Sequence, residues 1–302
     1  MATTSTPPRT THAQSGRRHG PAPRPRTRLG RVNPGITILY VVAIAAALVW
    51  LVPLLWAIAT SIKPEAETTL MPLRWLTASP TVEHYVAVIQ RGELLRWILN
   101  SLVVSTLVTV LTLVLCVLAA YGFSKCEFPG RGWAFALVIG GILIPPQVVV
   151  VPQFVLMTQL NLVNTYWGVA LPQVVMPMFV LIFKRFFDAI PRDYEDAARM
   201  DGAGHIRILL NVVLPLSRPI MAAVGIFAFI GAWNNFLWPL IVIQDPDVMT
   251  VPVGLATVSS DHGLQYAPSM AAAVIGALPL LIVFLLFQRQ IVTGVAGAGI
   301  KG

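Results

Sequence analysis

The fold of this chain is decided by a stretch with no charged side chain between its two ends: RGWAFALVIGGILIPPQVVVVPQFVLMTQLNLVNTYWGVALPQVVMPMFVLIFK (residues 131–184). Between Arg131 and Lys184 lie 52 residues without Asp, Glu, Lys or Arg. A helix needs roughly 20 apolar residues to cross the hydrocarbon core of a membrane, so this interval is long enough for two crossings. Its middle, residues 159–165, is polar enough to turn the chain. A soluble helix pair of this length would need a charged face, which this stretch lacks.

Four further charge-free intervals extend the pattern, with 31 residues after Arg31, 28 after Arg96, 26 after Arg218 and 27 after Asp261. Only 11% of the chain is charged, against about 25% in a soluble domain. The sequence therefore predicts an all-α integral membrane protein with six transmembrane helices. The predicted spans are residues 36–60, 98–121, 133–156, 166–187, 219–243 and 268–288.

The basic residues predict the topology. Seven of the 21 lie in the first 31 residues, in a segment rich in Pro, Ser, Thr and Arg. We expect residues 1–34 to form a disordered basic tail and residues 35–302 to form the transmembrane domain. With the N-terminus in the cytoplasm, 17 basic residues lie inside and four outside. This is the bias of the positive-inside rule, so both termini are predicted to be cytoplasmic and no nucleic acid partner is expected.

Several kinds of site are not expected. The charge-free intervals contain no Asp, Glu, Lys or Arg that could take and release a proton, and no stretch reads Gly-x4-Gly-Lys-Ser/Thr, the phosphate-binding loop of ATPases. The five histidines and two cysteines lack the spacing of a metal or catalytic site. If the protein moves a solute uphill, another subunit must supply the energy.

The loop at residues 190–217 carries the most information. Pro191 and Asp193 are typical of a helix start, and Gly202 interrupts that helix. The spacing then predicts a second short helix that ends at Pro215. Its common face is predicted to be formed by Ile206, Leu209, Leu210 and Val213. Two interpretations follow from the residues alone: an amphipathic loop lying on the membrane, or a docking site for another protein.

This loop resembles the signature loop of permease subunits of ATP-binding-cassette (ABC) importers. That pattern reads Glu-Ala-Ala, three residues, Gly, nine residues, Ile, one residue, Leu-Pro. The matching residues here are Asp196, Ala197, Ala198, Gly202, Val212, Leu214 and Pro215. Asp196 and Val212 depart conservatively from the pattern.

The resemblance extends over nearly all of the chain after residue 35, and is closest to the carbohydrate-uptake branch, with the smaller maltose-type permease subunit as its type. It includes Asn100-Ser101, residues 119–123, 128–131 and 233–240, and an ending with Pro279, Gln288, Val292, Gly294, Lys301 and Gly302. The tail has no counterpart.

The resemblance implies the type I ABC importer permease fold in a bacterial cell membrane. In that family the loop is a coupling helix that sits in a groove of the ATPase. The residues implied to contact the ATPase are Glu195, Asp196, Ala197, Ala198, Gly202, Leu214 and Pro215. No cofactor is implied in this chain, since ATP and Mg would be bound by the ATPase dimer. The other implied partners are a homologous second permease subunit, an extracytoplasmic solute-binding protein and membrane lipid.

Amides and indoles at membrane depth are candidates for the substrate pathway. They are Asn100, Trp233, Asn234, Asn235 and Trp238. Such groups either bond between helices or bind a neutral sugar. Prolines at 145, 146, 152, 172 and 177 should break or bend the third and fourth spans, and broken helices often border transporter sites. The segment 244–267 is either a docking place for the binding protein or a solvated connector.

The sequence favours a permease subunit that imports a sugar or oligosaccharide and is coupled to a separate ATPase. Two alternatives stay open. One is an ion-coupled secondary carrier, and the other is an ABC importer for a non-sugar solute such as a glycerol phosphate.

Overall fold

The computed structural model describes the backbone of residues 34–261 and 265–299, and the side chains of residues 35–257 and 265–288. The predicted tail up to residue 33 lies outside the described residues, as do Lys301, Gly302 and the side chain of Val292. The described part is all-helical, as predicted, and contains no strand.

The α-helices are α1 (Pro34–Ser61), α2 (Glu65–Thr68), α3 (Glu83–Gln90), α4 (Glu93–Lys125), α5 (Arg131–Gly140), α6 (Val150–Gln159), α7 (Tyr166–Ala170), α8 (Pro177–Asp188), α9 (Asp193–Met200), α10 (His205–Ile208), α11 (Leu214–Leu216), α12 (Arg218–Trp233), α13 (Leu237–Val242), α14 (Val251–Asp261) and α15 (Tyr266–Gly299). Short 3₁₀ turns lie at Gly141–Leu143, Pro146–Val149, Leu171–Gln173 and Pro246–Val248, and a π turn lies at Leu209–Val213.

The chain divides into two units, Met1–Val52 and Pro53–Gly302. The described part of the first unit is residues 34–52 of α1. Its side chains are exposed, including Leu39 at 67% and Trp50 at 81%. Apolar residues lie all round this helix, which is typical of a membrane span.

Helix α4 is central to the second unit, where it packs against α8 and α12 and also contacts α7, α14 and α15. Its 33 residues contain no proline. At 1.5 Å per residue they span roughly 48 Å. Leu94, Val104, Val108 and Val117 bury apolar surface along its length. We call its two ends the Glu93 end and the Lys125 end.

Prolines break the two helix pairs of the quoted stretch, as predicted. Residues 131–143 and 146–159 meet at 96°, and residues 166–173 and 177–188 meet at 52°. The residue before a proline is kept out of the α conformation. Accordingly Ile144 before Pro145 and Met176 before Pro177 are extended, with ψ of 113° and 112°.

Side chains of α4 satisfy backbone groups at the second break. A broken helix leaves carbonyl groups without partners, which is costly away from water. The buried Thr112 hydroxyl donates to the Val174 carbonyl at 2.7 Å, and the buried Cys116 thiol contacts the Met176 carbonyl at 4.0 Å. Donors on the neighbouring unbroken helix α4 therefore stabilise the break between residues 173 and 177 by satisfying its carbonyl groups.

Among the described residues, three helices are individually long and apolar enough to cross a membrane: Gly35–Ser61, Glu93–Lys125 and Tyr266–Gln288. Counting each of three bent pairs as one span brings the number to six. The third bent pair joins His205–Leu216 to Arg218–Trp233 at 82°, so it includes part of the 190–217 loop. The region predicted as the fifth span, 219–243, is interrupted, because α12 ends at Trp233 and α13 begins at Leu237.

The first turn of α15 is capped from a distant part of the chain. The Glu65 carboxylate accepts the backbone N–H groups of Tyr266 and Ala267, both at 2.8 Å. The first N–H groups of a helix have no partner within the helix and carry a partial positive charge. One carboxylate therefore satisfies two of them and balances their charge.

The substitution Thr112→Val tests the support of the broken helix, because it keeps the side-chain shape but removes the donor to Val174. We expect the apparent unfolding temperature of the purified protein in detergent to fall by several degrees, since an unsatisfied buried carbonyl costs about 1–3 kcal/mol. The matched control is Thr109→Val, whose hydroxyl donates to the Ser105 carbonyl of its own helix. An equal unfolding temperature in Thr112→Val and Thr109→Val would contradict this role.

Candidate functional site

A cleft of about 500 Å³ opens where the two broken helix pairs meet α13. Three of the prolines at or near the breaks, Pro146, Pro172 and Pro177, line it. The remaining lining residues are Gly141, Ile144, Gln147, Val149, Val150, Gln153, Gln173, Val175, Met176, Gly231, Asn235, Leu237 and Trp238.

Hydrogen bonds hold one wall of the cleft in place. Asn235 donates from Nδ2 to Gln173 Oε1 at 2.7 Å, and Gln173 donates from Nε2 to the Val169 carbonyl at 2.8 Å. The buried Trp238 indole donates from Nε1 to the Gly168 carbonyl at 3.1 Å. These amides and the indole are therefore largely committed to the protein.

Two further amides of the cleft are uncommitted. Gln147 and Gln153 line it, and neither side chain has a hydrogen-bond partner within the described residues. Each offers two donors and an acceptor. None of the lining residues is ionisable. The cleft thus presents neutral hydrogen-bonding groups between apolar walls, an arrangement that suits a neutral ligand rich in hydroxyl groups.

The loop of residues 190–217 folds as two helical pieces around a left-handed glycine. Helix α9 has three acidic residues in its first turn, where the positive end of the helix favours them. Gly202 then adopts φ of 77°, a left-handed backbone conformation that glycine takes without steric strain. The second piece runs from His205 to Leu216 and includes the π turn.

The buried face of the second piece differs from the prediction. Leu209 and Val213 are buried, together with Ile208, against the side chains of α4 and α8. The prediction that Ile206 and Leu210 share their face is wrong, because these two are 75% and 54% exposed. A π turn adds a residue to one helical turn, which shifts the inner face away from α-helical spacing.

The first piece is tied to the Lys125 end of α4 by charge. The Lys125 ammonium lies 2.5 Å from the Glu195 carboxylate, and the two side chains are only 6% and 5% exposed. The ammonium also donates to the Ile190 carbonyl at 3.2 Å. Glu195, expected among the residues that face a partner protein, instead faces the interior of this chain.

The opposite side of the loop is exposed and partly apolar. Tyr194 is 54% exposed and Met200 is 88% exposed. We call the exposed group the loop surface; it consists of Tyr194, Asp196, Ala197, Met200, Ile206 and Leu210. Four large apolar side chains, Tyr194, Met200, Ile206 and Leu210, are thus available on this loop for a contact with another protein or a membrane.

Comparison with known proteins gives a family match that includes the 190–217 loop. A sequence profile described as "Binding-protein-dependent transport system inner membrane component" matches residues 127–297, more than half of the chain. The chain belongs to this family of transport permeases. The resemblance drawn from the 190–217 loop is thereby confirmed.

Individual relatives of the permease cover most of its length. It is 35% identical over 260 residues to the arabinooligosaccharides transport system permease protein AraQ of Bacillus subtilis, covering 85% of this chain and 92% of that protein. It is 34% identical over 270 residues to the trehalose/maltose transport system permease protein MalG of Thermococcus litoralis, covering 88% and 96%. Its fold matches a chain of a bacterial ABC transporter involved in the import of the acidic polysaccharide alginate, with a TM-score of 0.77 and 22% identity over 86% of this chain and 98% of that one.

The structure brings only two of the five expected pathway residues of the permease into the cleft. Asn235 and Trp238 line it. Asn234 is exposed and donates to the Ile230 carbonyl of its own helix at 3.0 Å. Trp233 is buried and stacks on Phe229, with ring centroids 5.9 Å apart. Neither of these two lines the cleft.

Asn100 has a different role from the one expected. Its Nδ2 donates to the carbonyls of Asp247 and Met249 at 2.9 and 2.8 Å, and its Oδ1 accepts from the Tyr166 hydroxyl at 2.7 Å. The neighbouring Ser101 hydroxyl accepts the N–H of Val251 at 2.9 Å. Asn100 therefore clamps the segment 247–251 onto α4 of the permease.

Sequence reasoning missed the three glutamines of the cleft. All three directly follow a proline, in the pairs Pro146-Gln147, Pro152-Gln153 and Pro172-Gln173. A polar amide next to a helix breaker within an apolar stretch was the available signal.

Replacing Asn100 tests the clamp. We expect Asn100→Leu to increase backbone hydrogen exchange of residues 245–251 in the purified permease, because two backbone carbonyls lose their donor. Tyr166→Phe removes only the hydroxyl that donates to Asn100, so its increase should be smaller. The assignment would be refuted if exchange in this segment matched wild type in Asn100→Leu.

Proposed function

We propose that this permease is a transmembrane subunit of an ATP-driven importer that carries a sugar or oligosaccharide across a bacterial cell membrane. Membership of the binding-protein-dependent permease family supports the import reaction. The observation that carries the substrate class is the cleft, whose free amides, Gln147 and Gln153, stand among uncharged residues. Sugar hydroxyl groups both donate and accept hydrogen bonds, as amides do.

The relatives support the same substrate class. Two that match over most of their length carry the names of arabinooligosaccharide and trehalose/maltose transport systems. An acidic polysaccharide would call for basic groups, and the lining of this cleft contains none. We therefore assign a neutral sugar, not an anionic one, to this permease.

The energy comes from a separate ATPase dimer in this proposal. The loop surface would sit against the ATPase, with Asp196, Ala197 and Met200 in contact. Leu214 is half-buried against the helices and Pro215 is exposed, so Pro215 is the closer of the two to such a partner. ATP and Mg would be bound and used in the ATPase, and closure of its dimer would move the loop.

The topology follows from this docking. We propose six spans with both termini in the cytoplasm, which puts the 190–217 loop and the Lys125 end of α4 inside. A homologous second permease subunit would complete the translocation pathway, and lipid would cover the remaining apolar helix faces.

The solute-binding protein would approach from the opposite side, near residues 244–247, which are exposed. Residues 250–254 of the segment 244–267 are less accessible than a solvated connector would be. Thr250, Val251 and Val253 are 4%, 3% and 1% exposed. A Cβ built at Gly254 would lie 2.2 Å from the Trp97 ring, so α14 packs closely on α4.

Gln153→Leu tests the cleft as the sugar pathway. We expect the initial rate of sugar uptake in membrane vesicles to fall about five- to tenfold, since each lost hydrogen bond costs about 1 kcal/mol. Asn234→Leu is the matched control, because this exposed amide lies outside the cleft lining. The ATPase should still copurify with both variants. Normal uptake by Gln153→Leu, or an equal loss in Asn234→Leu, would reject the assignment.

Gly202 provides the test of ATPase docking. Gly202→Val forces a β-branched residue into φ of 77°, where it is strained, whereas Asn tolerates this region. We expect the ATPase to be lost from the complex purified with Gly202→Val and retained with Gly202→Asn. Retention with both variants, or uptake by the wild-type chain in ATP-free vesicles, would favour an ion-coupled carrier instead.

A further inference from the structure

Helix α4 joins the 190–217 loop to the segment 247–251 on the other side of the permease. It runs 33 residues without a proline, while the pairs 131–159 and 166–188 beside it are both bent. An unbroken helix of this length, roughly 48 Å, transmits a displacement along its axis better than a helix pair with a break. Which elements a displacement of α4 would move depends on the elements attached to its two ends.

At the Lys125 end, both pieces of the loop are attached to the last two turns of α4. Lys125 pairs with Glu195 at 2.5 Å, both side chains being buried, and it donates to the Ile190 carbonyl at 3.2 Å. One turn earlier, the Tyr121 hydroxyl donates to the His205 carbonyl at 3.1 Å. The loop is therefore bound to α4 on both sides of its central glycine.

At the Glu93 end, the attached element is the segment 247–251. Asn100 binds two of its carbonyls, and Ser101 accepts one of its N–H groups. Arg96 forms an ion pair with Asp247. The same helix thus carries polar attachments at both ends.

The ion pair at the Lys125 end stands out because of its burial. It lies at a polar cavity of about 390 Å³ that is also lined by Arg131, Arg192, Arg199, Glu127, Asp196 and His205. A buried ion pair is a weak source of stability, since apolar side chains of similar size often do as well. Its best-attested use is to fix one geometry. A contact that passes movement from the loop to α4 needs such a fixed geometry.

We infer that the Lys125–Glu195 ion pair is the joint through which movement of the 190–217 loop is passed to α4 and so to the segment 247–251. Both residues are positioning residues, since neither lines the cleft. The inference rests on the proposed function, because it assigns the path by which ATP closure on one side reaches the binding protein on the other.

The test uses the complete transporter purified from its host and reconstituted in liposomes. Glu195→Gln and Lys125→Met remove one charge each, Lys125→Arg keeps the charge, and Lys125→Glu/Glu195→Lys exchanges the two. The control is Lys184→Met, which breaks an ion pair on α8 that is more exposed than Lys125–Glu195, between Lys184 and Asp188 2.7 Å apart. ATP hydrolysis, sugar uptake and the amount of bound ATPase are measured for each.

With Glu195→Gln and Lys125→Met, we expect the ATPase to stay bound and to hydrolyse ATP while sugar uptake per ATP falls about tenfold, a typical coupling effect. Lys125→Arg and the charge exchange should recover most of the uptake, and Lys184→Met should match wild type. Spin labels at the exposed Gln244 and Asn211, which take no part in these attachments, should report an ATP-dependent change in distance in the otherwise wild-type transporter that is absent in Glu195→Gln.

Three results would overturn the inference. The first is unchanged uptake per ATP in both single-charge variants. The second is loss of the ATPase from them, which would make the pair a docking element and leave the proposed function standing. The third is a wild-type transporter that does not import in response to ATP, which would refute the proposed function itself.

Discussion

The arrangement depends on one constraint: every backbone carbonyl released at a helix break must find a donor where water is scarce. The chain meets it with polar side chains on an otherwise apolar helix. Thr112 serves the break before α8, and Asn100 and Ser101 serve the segment that precedes α14. These groups are small and neutral, so α4 stays apolar enough to lie in a membrane while Thr112 and Asn100 donate to neighbouring carbonyls and Ser101 accepts a neighbouring N–H.

The same breaks produce the cleft. A proline removes a donor and turns the chain, and the glutamine that follows it points an amide into the space so created. The wall opposite is fixed by the contact of Trp238 with the Gly168 carbonyl. That contact depends on a glycine, because a Cβ at Gly168 would lie 2.0 Å from the Leu162 carbonyl oxygen. In Pro146-Gln147 and Pro172-Gln173, a proline at or near a break thus stands next to an amide of the cleft, whereas Pro152-Gln153 lies inside α6.

Much of this could be predicted from the sequence. Charge-free intervals predicted apolar helices, prolines predicted the breaks, and the spacing after Asp196 predicted the family. What failed depended on information that periodicity does not contain. The π turn moved Ile206 and Leu210 to the exposed side, and the partner of Glu195 lies 70 residues away, at Lys125. The partners of Asn100 are 147 and 149 residues away, so an amide that looked suited to a sugar is committed to backbone carbonyls.

The cap that Glu65 places on α15 has a consequence for biosynthesis. The two ends of this contact are separated by 201 and 202 residues, so it can form only when nearly the whole chain has left the ribosome. Until then the Glu65 carboxylate is without these two partners, and the preceding helices have nothing at this position to fasten them. Insertion of α15 therefore completes the packing of α2 and α3 as well as adding a helix, and a nascent chain that stalls before Tyr266 would lack these contacts.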